Sequence, residues 1–361
     1  MSNFDKYKKL GEPEKYEKAQ NWQAAIGLQE VDGLKPSDYL IKTAFSNIEG
    51  EITIEEVKAR LDSYYKEKAT DTDSARIQEA DKVSARIAEI LGEKTFSFSP
   101  AEYIGIHKRL FEGLYKFAGI IRDYNITKDE WVLCGDTVYY ATAIHLRETL
   151  EYDFRQEKLF SYKGLSTKQI IEHIARFVSG IWQLHVFGEG NTRTTAVFLI
   201  KYLRSLGFKD VDNSMFAQNS FYFRNALVRA NYEDLTRGVI KTNEYLISFL
   251  ENLLIGGKNV LKNRVMQIGW VDNDTVKHPK DTVNDTVNDT VLSIIKSNVT
   301  ITASEIAEQL NIGIATVKRK IKALKDKGLI QRVGSDKTGH WKVTDAKIVA
   351  GMKKLEGMLD E

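Results

Sequence analysis

The strongest constraint on the fold is a helical segment, about residues 193–206, that is apolar on nearly every side. Its large apolar residues are Val197, Leu199, Ile200 and Leu203, and it ends at Gly207. A surface helix carries one apolar stripe, so a helix that is apolar all round has to be surrounded by other elements. The segment predicts the central helix of a helical bundle.

A second helix is predicted directly before it, beginning near Ser166 or Thr167. Its single apolar face is formed by Ile170, Ile174, Phe177, Val178, Ile181 and Trp182. His185 follows Ile181 by four residues, and residues four apart share one face of a helix. We therefore expect His185 at the core-facing end of this helix.

Strand signals are nearly confined to one place in the first 270 residues. Residues 126–133 and 137–140 are rich in β-branched and aromatic side chains, with Cys134-Gly135-Asp136 between them. This pattern predicts a β-hairpin. An isolated hairpin is marginally stable, so it is expected to rest above the cleft formed by the loop after His185. The fold class is then mainly α, with one hairpin.

The composition divides the chain into four regions. They are an N-terminal helical region (1–99), a second helical region that contains the predicted hairpin (100–257), a linker (258–290) and a C-terminal domain (291–361). Several domains are expected because 361 residues exceed one typical core. The linker contains a four-residue Asp-Thr-Val-Asn repeat from Asp281 and no large core residue within it.

Cysteine content and hydropathy favour a cytoplasmic protein. The single cysteine, Cys134, excludes an internal disulfide framework and fits a reducing compartment. No apolar run approaches the roughly 20 residues of a membrane-spanning helix, and the polar first residues do not resemble a signal peptide. No membrane partner is expected.

The C-terminal domain has the element order of a small winged helix-turn-helix domain. The predicted parts are helices at 292–296, 303–310 and 315–327, and strands at 329–333 and 340–343. Thr302 and Glu305 form a capping box before the second helix.

The same region is basic. Residues 292–343 hold ten Lys/Arg against four Asp/Glu, a local net charge of +6, whereas the whole chain has +2. Lys318, Arg319, Lys320 and Lys322 would contact DNA phosphates, and Thr316 and Arg319 would reach base edges. The alternative is a winged helix for protein contacts or dimerisation, and a homo-oligomer is compatible with the sequence.

The loop between the two apolar helices carries the chemistry. Residues 188–192 precede the second helix, where unpaired backbone N–H groups and the helix dipole favour an anion. Gly190 permits close approach of a phosphate, and Arg193 supplies a planar fork. Glu189 would repel a phosphate unless Mg²⁺ bridges the two. His185 would then take a proton from an attacking hydroxyl. Taken alone, a histidine on an apolar face is more often a core residue.

These residues resemble a family signature. His185-x-Phe187-x-Glu189-Gly190-Asn191-x-Arg193 is similar to the Fic pattern H-x-F-x-[D/E]-G-N-G-R-x-x-R. Most Fic proteins transfer AMP from ATP to a Ser, Thr or Tyr hydroxyl of a target protein. The resemblance covers roughly residues 100–255, and it implies a Fic-type helical bundle whose hairpin is a flap that aligns the target by strand addition.

The resemblance also implies residue roles. It makes His185 the catalytic base and Glu189 the magnesium ligand. The residues that it implies for ATP are Gly188, Gly190, Asn191, Thr192 and Arg193 at the phosphates, with Phe223 and Asn231 near the adenosine. The residues that it implies for docking of the target on the flap are Val138, Tyr139 and Tyr140.

Two positions depart from the pattern. Thr192 stands at a glycine position, and Ala196 stands where the second arginine would be. In many relatives that arginine contacts the terminal phosphate or an inhibitory glutamate. The departure predicts either weaker binding of the γ-phosphate or a substitute cation, for which Arg224 and Arg229 are candidates.

Residues 46–50, Ser-Asn-Ile-Glu-Gly, resemble the inhibitory motif [S/T]-x-x-x-E-[G/N] of certain Fic proteins, although Phe45 occupies the Ser/Thr position. The resemblance implies that Glu49 competes with the γ-phosphate. The alternative is an ordinary helix end at Gly50.

The function expected from the sequence is that of a magnesium-dependent protein adenylyltransferase restrained by Glu49. A winged-helix transcriptional regulator that uses the same site as a nucleotide sensor is one alternative. A Fic enzyme that transfers another nucleotide or a phosphate, or that removes AMP, is another.

Overall fold

The structure is a computed structural model that describes residues 7, 12–66, 72–208 and 214–269, together with parts of residues 291–343. Those parts are 291–292, 294–295, 298–309, 317–318, 321–322, 324–325, 329–333 and 339–343. The chain divides into two compact units, Met1–Asp272 and Asn273–Glu361. Most of the predicted linker lies outside the described residues.

The first unit is built from helices, as predicted. They are α1 (Pro13–Gly27), α2 (Asp38–Glu49), α3 (Ile54–Lys66), α4 (Thr72–Gly92), α5 (Pro100–Phe111), α6 (Leu146–Leu159), α7 (Thr167–Leu184), α8 (Asn191–Ser205), α9 (Ser214–Ala230) and α10 (Glu244–Ile255). Short 3-10 turns lie at Leu28–Asp32, Trp131–Leu133, Ala143–His145, Leu235–Arg237 and Asn263–Met266. None of the described helices is long and apolar enough to cross a membrane.

Helix α8 is the central helix. Each of its residues from Asn191 to Leu203 is buried, and it packs against α4, α5 and α7. Helix α7 begins with a capping box between Ser166 and Gln169, which satisfies two orphan donors at the helix start. The apolar patterns of these two helices therefore gave the correct arrangement, a bundle with α8 at its centre.

The N-terminal helices belong to the same unit as the core. Helix α1 packs against α4 and α9, and α4 packs against α8. The apolar side chains of residues 12–66 and 72–92 join one continuous core with those of α5 to α10. The predicted boundary at residue 99 therefore falls inside a single compact unit.

Residues 126–140, called the flap segment below, are not a β-hairpin. Residues 126–130 and 136–140 have no regular structure, and Trp131–Leu133 form a 3-10 turn. The chain reverses at Cys134 and Gly135, which both have positive φ. The adjacent residues Val132 and Leu133 are both fully buried, whereas neighbouring residues of a strand point to opposite faces. Here the 3-10 turn directs both side chains into the core, so the strand prediction was wrong.

The second unit contains the predicted wing. Strands β1 (Ile330–Val333) and β2 (His340–Val343) are antiparallel, with Ile330 opposite Val343 and Val333 opposite His340. Helix α11 (Ala303–Gln309) begins at the predicted capping box, since Glu305 N donates to Thr302 Oγ1 and Thr302 N donates to the Glu305 carboxylate. A separate small core includes Val291, Ile306, Leu324 and Trp341. Thr316, Arg319 and Lys320 lie outside the described residues, and Lys318 and Lys322 are exposed.

Candidate active site

His185 ends α7 in a backbone conformation that is rare for residues other than glycine. Its φ is 50°, in the left-handed region, which costs about 1–3 kcal/mol. The residue is 4% exposed, and its ring centroid lies 4.2 Å from that of Tyr140. Nδ1 has no hydrogen-bond partner among the described residues. The site therefore holds a buried imidazole with a ring nitrogen that is open to a proton.

The surroundings keep this imidazole neutral. Burial lowers the pKa of His185 well below its usual value, and the positive charges of Lys128 and Arg224 lower it further. Charged imidazolium would lose hydration that the protein does not replace. At neutral pH His185 is therefore in the form that can accept a proton.

Arg122 holds the backbone at His185 in place, a role that no local sequence pattern indicates. Its Nε donates to the His185 carbonyl at 2.7 Å, and Nη2 donates to the Leu184 carbonyl at 3.2 Å. The same guanidinium donates to the carbonyls of Tyr124 and Ala141, on either side of the flap segment. One side chain thus joins the base of the flap segment to the end of α7.

The loop after His185 is closed by a side-chain amide. Asn191 Oδ1 accepts from the Phe187 backbone N at 3.0 Å, and Asn191 Nδ2 donates to the Phe187 carbonyl at 2.7 Å. The Phe187 ring stacks on His107 at 3.7 Å between centroids. These two bonds hold the loop closed, so Asn191 shapes the loop. Its contact with the phosphates stays a prediction.

Gly190 is sterically required in the loop. A Cβ at Gly190 would lie 2.3 Å from the buried Phe111 ring, and Gly190 has φ 76°. A Cβ at Gly188 would lie 2.6 Å from the Tyr124 hydroxyl, which is the end of an exposed side chain that can move aside. A larger residue at position 190 would displace the loop, so Gly190 acts through the backbone path.

Helix α8 begins at the loop, which places its first amides there. Its first internal bond is Thr194 N to Gly190 O at 3.0 Å, so the amides of the first turn have no acceptor within the helix. Thr192 is part of this turn, and its Oγ1 accepts from Trp182 Nε1 at 3.0 Å. A helical conformation does not need glycine, which explains why threonine is accommodated. The helix start remains suited to an anion.

Glu189 is the acidic group of the loop, and it is paired with Lys128. Lys128 Nζ lies 2.9 Å from Glu189 Oε2, and the Glu189 side chain is 54% exposed. The described residues include no group of three His, Cys, Asp or Glu side chains that could hold a metal ion by themselves. One accessible carboxylate suits Mg²⁺ bound jointly with substrate phosphates and water. Glu189 fits such a site.

Arg193 does not face the loop, which corrects the phosphate contact implied by the sequence. Its side chain is 1% exposed, with Nη2 2.7 Å from Glu79 Oε1 and Nε 2.8 Å from Asp32 Oδ2. Nη1 also donates to Gln29 Oε1 at 3.1 Å, and the guanidinium lies over the Phe111 ring. Burial favours the neutral form, but Asp32, Tyr115 and Glu79 together outweigh it, and the pKa of Arg193 is raised. The arginine ties the N-terminal helices to α8.

Comparisons with known proteins match two parts of the chain to known families. Residues 97–203 match the model of the Fic/DOC family. These residues are a Fic/DOC domain. Residues 290–331 match a family described as winged helix-turn-helix DNA-binding.

Known proteins that are similar to this chain include a protein adenylyltransferase and a Fic family protein of known structure. The chain is 28% identical over 139 residues to the protein adenylyltransferase VbhT of Bartonella schoenbuchensis. The matched residues are 38% of this chain and 28% of VbhT. Most of the length of VbhT therefore lies outside the match. A crystal structure of a Fic family protein from Desulfovibrio desulfuricans aligns with 91% of this chain and 87% of that one, with 13% identity and a TM-score of 0.41.

The flap segment of the Fic/DOC domain lies against His185. Tyr140 packs on the His185 ring, and Val138 is buried in the core. Tyr139 is 80% exposed, and its carbonyl accepts from Gln183 Nε2 at 3.0 Å. Of the three predicted docking residues, the structure presents Tyr139 to solvent and uses the other two for packing.

The adenosine contacts implied for α9 are not supported by the structure. Phe223 is fully buried, and its ring centroid lies 5.2 Å from that of Phe216 and 5.2 Å from that of Phe249. It has no free face for a base, so the prediction for Phe223 was wrong. Asn231 lies at the end of α9, where its Nδ2 donates to Ser179 O at 3.0 Å and to Leu227 O at 2.9 Å. These bonds hold α9 against α7.

The two candidate substitutes for the missing arginine have different surroundings. Ala196 is fully buried in α8. Arg224 Nη2 lies 2.9 Å from Oε2 of the buried Glu130, and so joins α9 to the flap segment. Arg229 is 9% exposed, and its Nε and Nη1 have no hydrogen-bond partner within the described residues. Arg224 also lies close enough to lower the pKa of His185.

Glu49 lies at the end of α2 with partners of its own. Its carboxylate accepts from the Tyr7 hydroxyl and lies 3.1 Å from Lys15 Nζ. Gly50 follows in the left-handed conformation of a helix end. The carboxylates that pair with Arg193 are those of Asp32 and Glu79, and the inhibitory role of Glu49 stays a prediction.

Proposed function

We propose that the chain is a protein adenylyltransferase that transfers AMP from ATP to a Ser, Thr or Tyr hydroxyl of a target protein. The observation that carries this proposal is the buried His185 at the end of α7, before the loop that leads into α8, within a Fic/DOC domain. The similarity to the adenylyltransferase VbhT supports the class of reaction.

In the proposed reaction, His185 removes the proton of the target hydroxyl. The hydroxyl oxygen attacks the α-phosphorus, a new P–O bond forms, and the bond between the α-phosphorus and the bridging oxygen breaks. Pyrophosphate leaves with the electron pair of that bond. The first amides of α8 stabilise negative charge on the transferred phosphate. Glu189 would hold Mg²⁺, which would neutralise phosphate charge.

Labelled ATP tests which group is transferred. The chain is incubated with Mg²⁺, a cell lysate, and ATP labelled either at the α- or at the γ-phosphate, and the proteins are separated on a gel. We expect protein-bound label from α-labelled ATP that depends on the added chain, and no label from γ-labelled ATP beyond that of the lysate alone. Additional label from γ-labelled ATP on adding the chain would instead indicate phosphate transfer. The mass added to the modified residue identifies the nucleotide.

The C-terminal unit supports a second candidate, a DNA-binding regulator whose Fic/DOC site senses a nucleotide. The observation that favours it is the winged helix-turn-helix match with exposed Lys318 and Lys322. Absence of transferred label, together with sequence-selective DNA binding that weakens with salt, would favour the regulator over the enzyme.

Restraint of the enzyme by Glu49 is part of the proposal. In the inhibited state, the Glu49 carboxylate would leave Tyr7 and Lys15 and contact a group at the phosphate site. We expect Glu49→Gln to raise labelling by about 5-fold or more, measured beside the exposed control Glu51→Gln. Equal labelling by the wild type and both variants would contradict an inhibitory role for Glu49.

A further inference from the structure

The Fic/DOC motif of this chain has no arginine free for the outer phosphates. Ala196 replaces one arginine and is fully buried. Arg193 is enclosed by Asp32 and Glu79. The first amides of α8 can bind one phosphate group, but a triphosphate carries charge well beyond the α-phosphate. A cation from outside the motif is therefore needed.

Three cations lie close enough to His185 to lower its pKa, namely Lys128, Arg224 and Arg122. Arg122 is bound to four backbone carbonyls that define the end of α7 and the base of the flap segment. Arg224 is paired with Glu130, which is 2% exposed. Release of Arg224 would leave a buried carboxylate without a counter-ion, at a substantial cost. Neither arginine is free to change partners.

Lys128 differs because its partner is accessible to solvent. Its ammonium contacts Glu189 Oε2, and the Glu189 side chain is more than half exposed. An ion pair of this kind contributes little stability, so exchange of partners costs little. The backbone around Lys128 is held in place, since its N–H donates to Thr137 Oγ1 at 3.1 Å. The next reversal is closed by Glu130 N to Asp136 O at 2.9 Å.

We propose that Lys128 binds the β- and γ-phosphates of the nucleotide and replaces the arginine absent at Ala196. The proposal rests on the proposed function, since it concerns the same site. Before nucleotide binds, Lys128 neutralises Glu189. When a nucleotide brings its own negative charge, the ammonium moves to the outer phosphates and Glu189 becomes free for a metal ion.

Nucleotide binding without a target protein tests the role of Lys128. Calorimetric titrations with ATP, ADP and AMP, each with Mg²⁺, compare the wild type with Lys128→Gln, Lys128→Arg and the exposed control Lys163→Gln. We expect Lys128→Gln to weaken ATP binding by about 10-fold or more, because a charge-assisted hydrogen bond is lost. AMP binding should be unchanged, and Lys128→Arg should retain most of the ATP affinity.

The outcomes separate the two proposals. Equal affinity of the wild type and Lys128→Gln for ATP would overturn the role of Lys128 and leave the adenylyltransferase proposal standing. An equal loss for ATP and AMP would also overturn it, because it would indicate a change in the shape of the site. Failure of the wild type to bind any of the three nucleotides would overturn both proposals.

Discussion

Replacement of His185 by alanine is expected to reduce label transfer from α-labelled ATP by about 10²–10⁴-fold, the usual contribution of a general base. In the proposed mechanism the buried imidazole accepts the proton, and its Nδ1 has no competing partner among the described residues. The alanine side chain tolerates the positive φ at position 185 about as poorly as histidine does. The loop should nevertheless persist, because Arg122 holds the carbonyls of residues 184 and 185. Transfer is measured beside His145→Ala, which removes an exposed histidine. Equal transfer by both variants would contradict the mechanism.

The pH profile gives a second check on His185. Burial lowers the pKa of this group below its usual value, so the neutral base persists at pH values where an exposed histidine is already protonated. Transfer is therefore expected to stay constant as the pH falls through about 6.5 and to decline only at lower pH. A decline centred on the ordinary value would contradict the effect of burial.

The sequence predicted the parts of the site that depend on local spacing. The position of His185 followed from four-residue periodicity in α7, and the helix start followed from the glycines before α8. Local patterns suffice here because the backbone path itself creates the site. Phe187 anchors the same loop, since it is buried and stacks on His107.

Partners that lie far apart in the chain could not be predicted in this way. The spacing in the motif gives no indication that Arg193 pairs with Asp32 and Glu79, which lie 161 and 114 residues before it. The role of Phe223 could not be predicted for the same reason, since only the packing of α9 on α10 shows that it faces Phe249. The sequence alone does not distinguish an aromatic residue that binds a ligand from one that fills the core.

The flap segment illustrates a different limit. Its β-branched and aromatic residues favour strands, but Val132 and Leu133 follow one another and both enter the helical core. Burial against helices outweighed the local preference. The sequence does not indicate Lys128 either, because the significance of this lysine depends on the distance between the flap segment and Glu189.

Replacement of Arg193 by methionine is expected to destabilise the first unit by about 3–5 kcal/mol, because two carboxylates lose their buried counter-ion. For a unit of this size, the melting temperature should fall by roughly 10 °C. Thermal unfolding is compared with that of Arg155→Met, which removes an exposed arginine. The fall should be much smaller in the control.

A triple variant separates the structural role of Arg193 from a role in phosphate binding. Asp32→Asn and Glu79→Gln, combined with Arg193→Met, remove the uncompensated charges and should restore more than half of the lost stability, because the cost lies in the unpaired carboxylates. The same variant should still bind ATP, since the first amides of α8 and Lys128 are unchanged. If Arg193→Met lost ATP binding but kept its melting temperature, Arg193 would have to be a phosphate-binding residue. The N-terminal helices would then have to release it when the nucleotide binds.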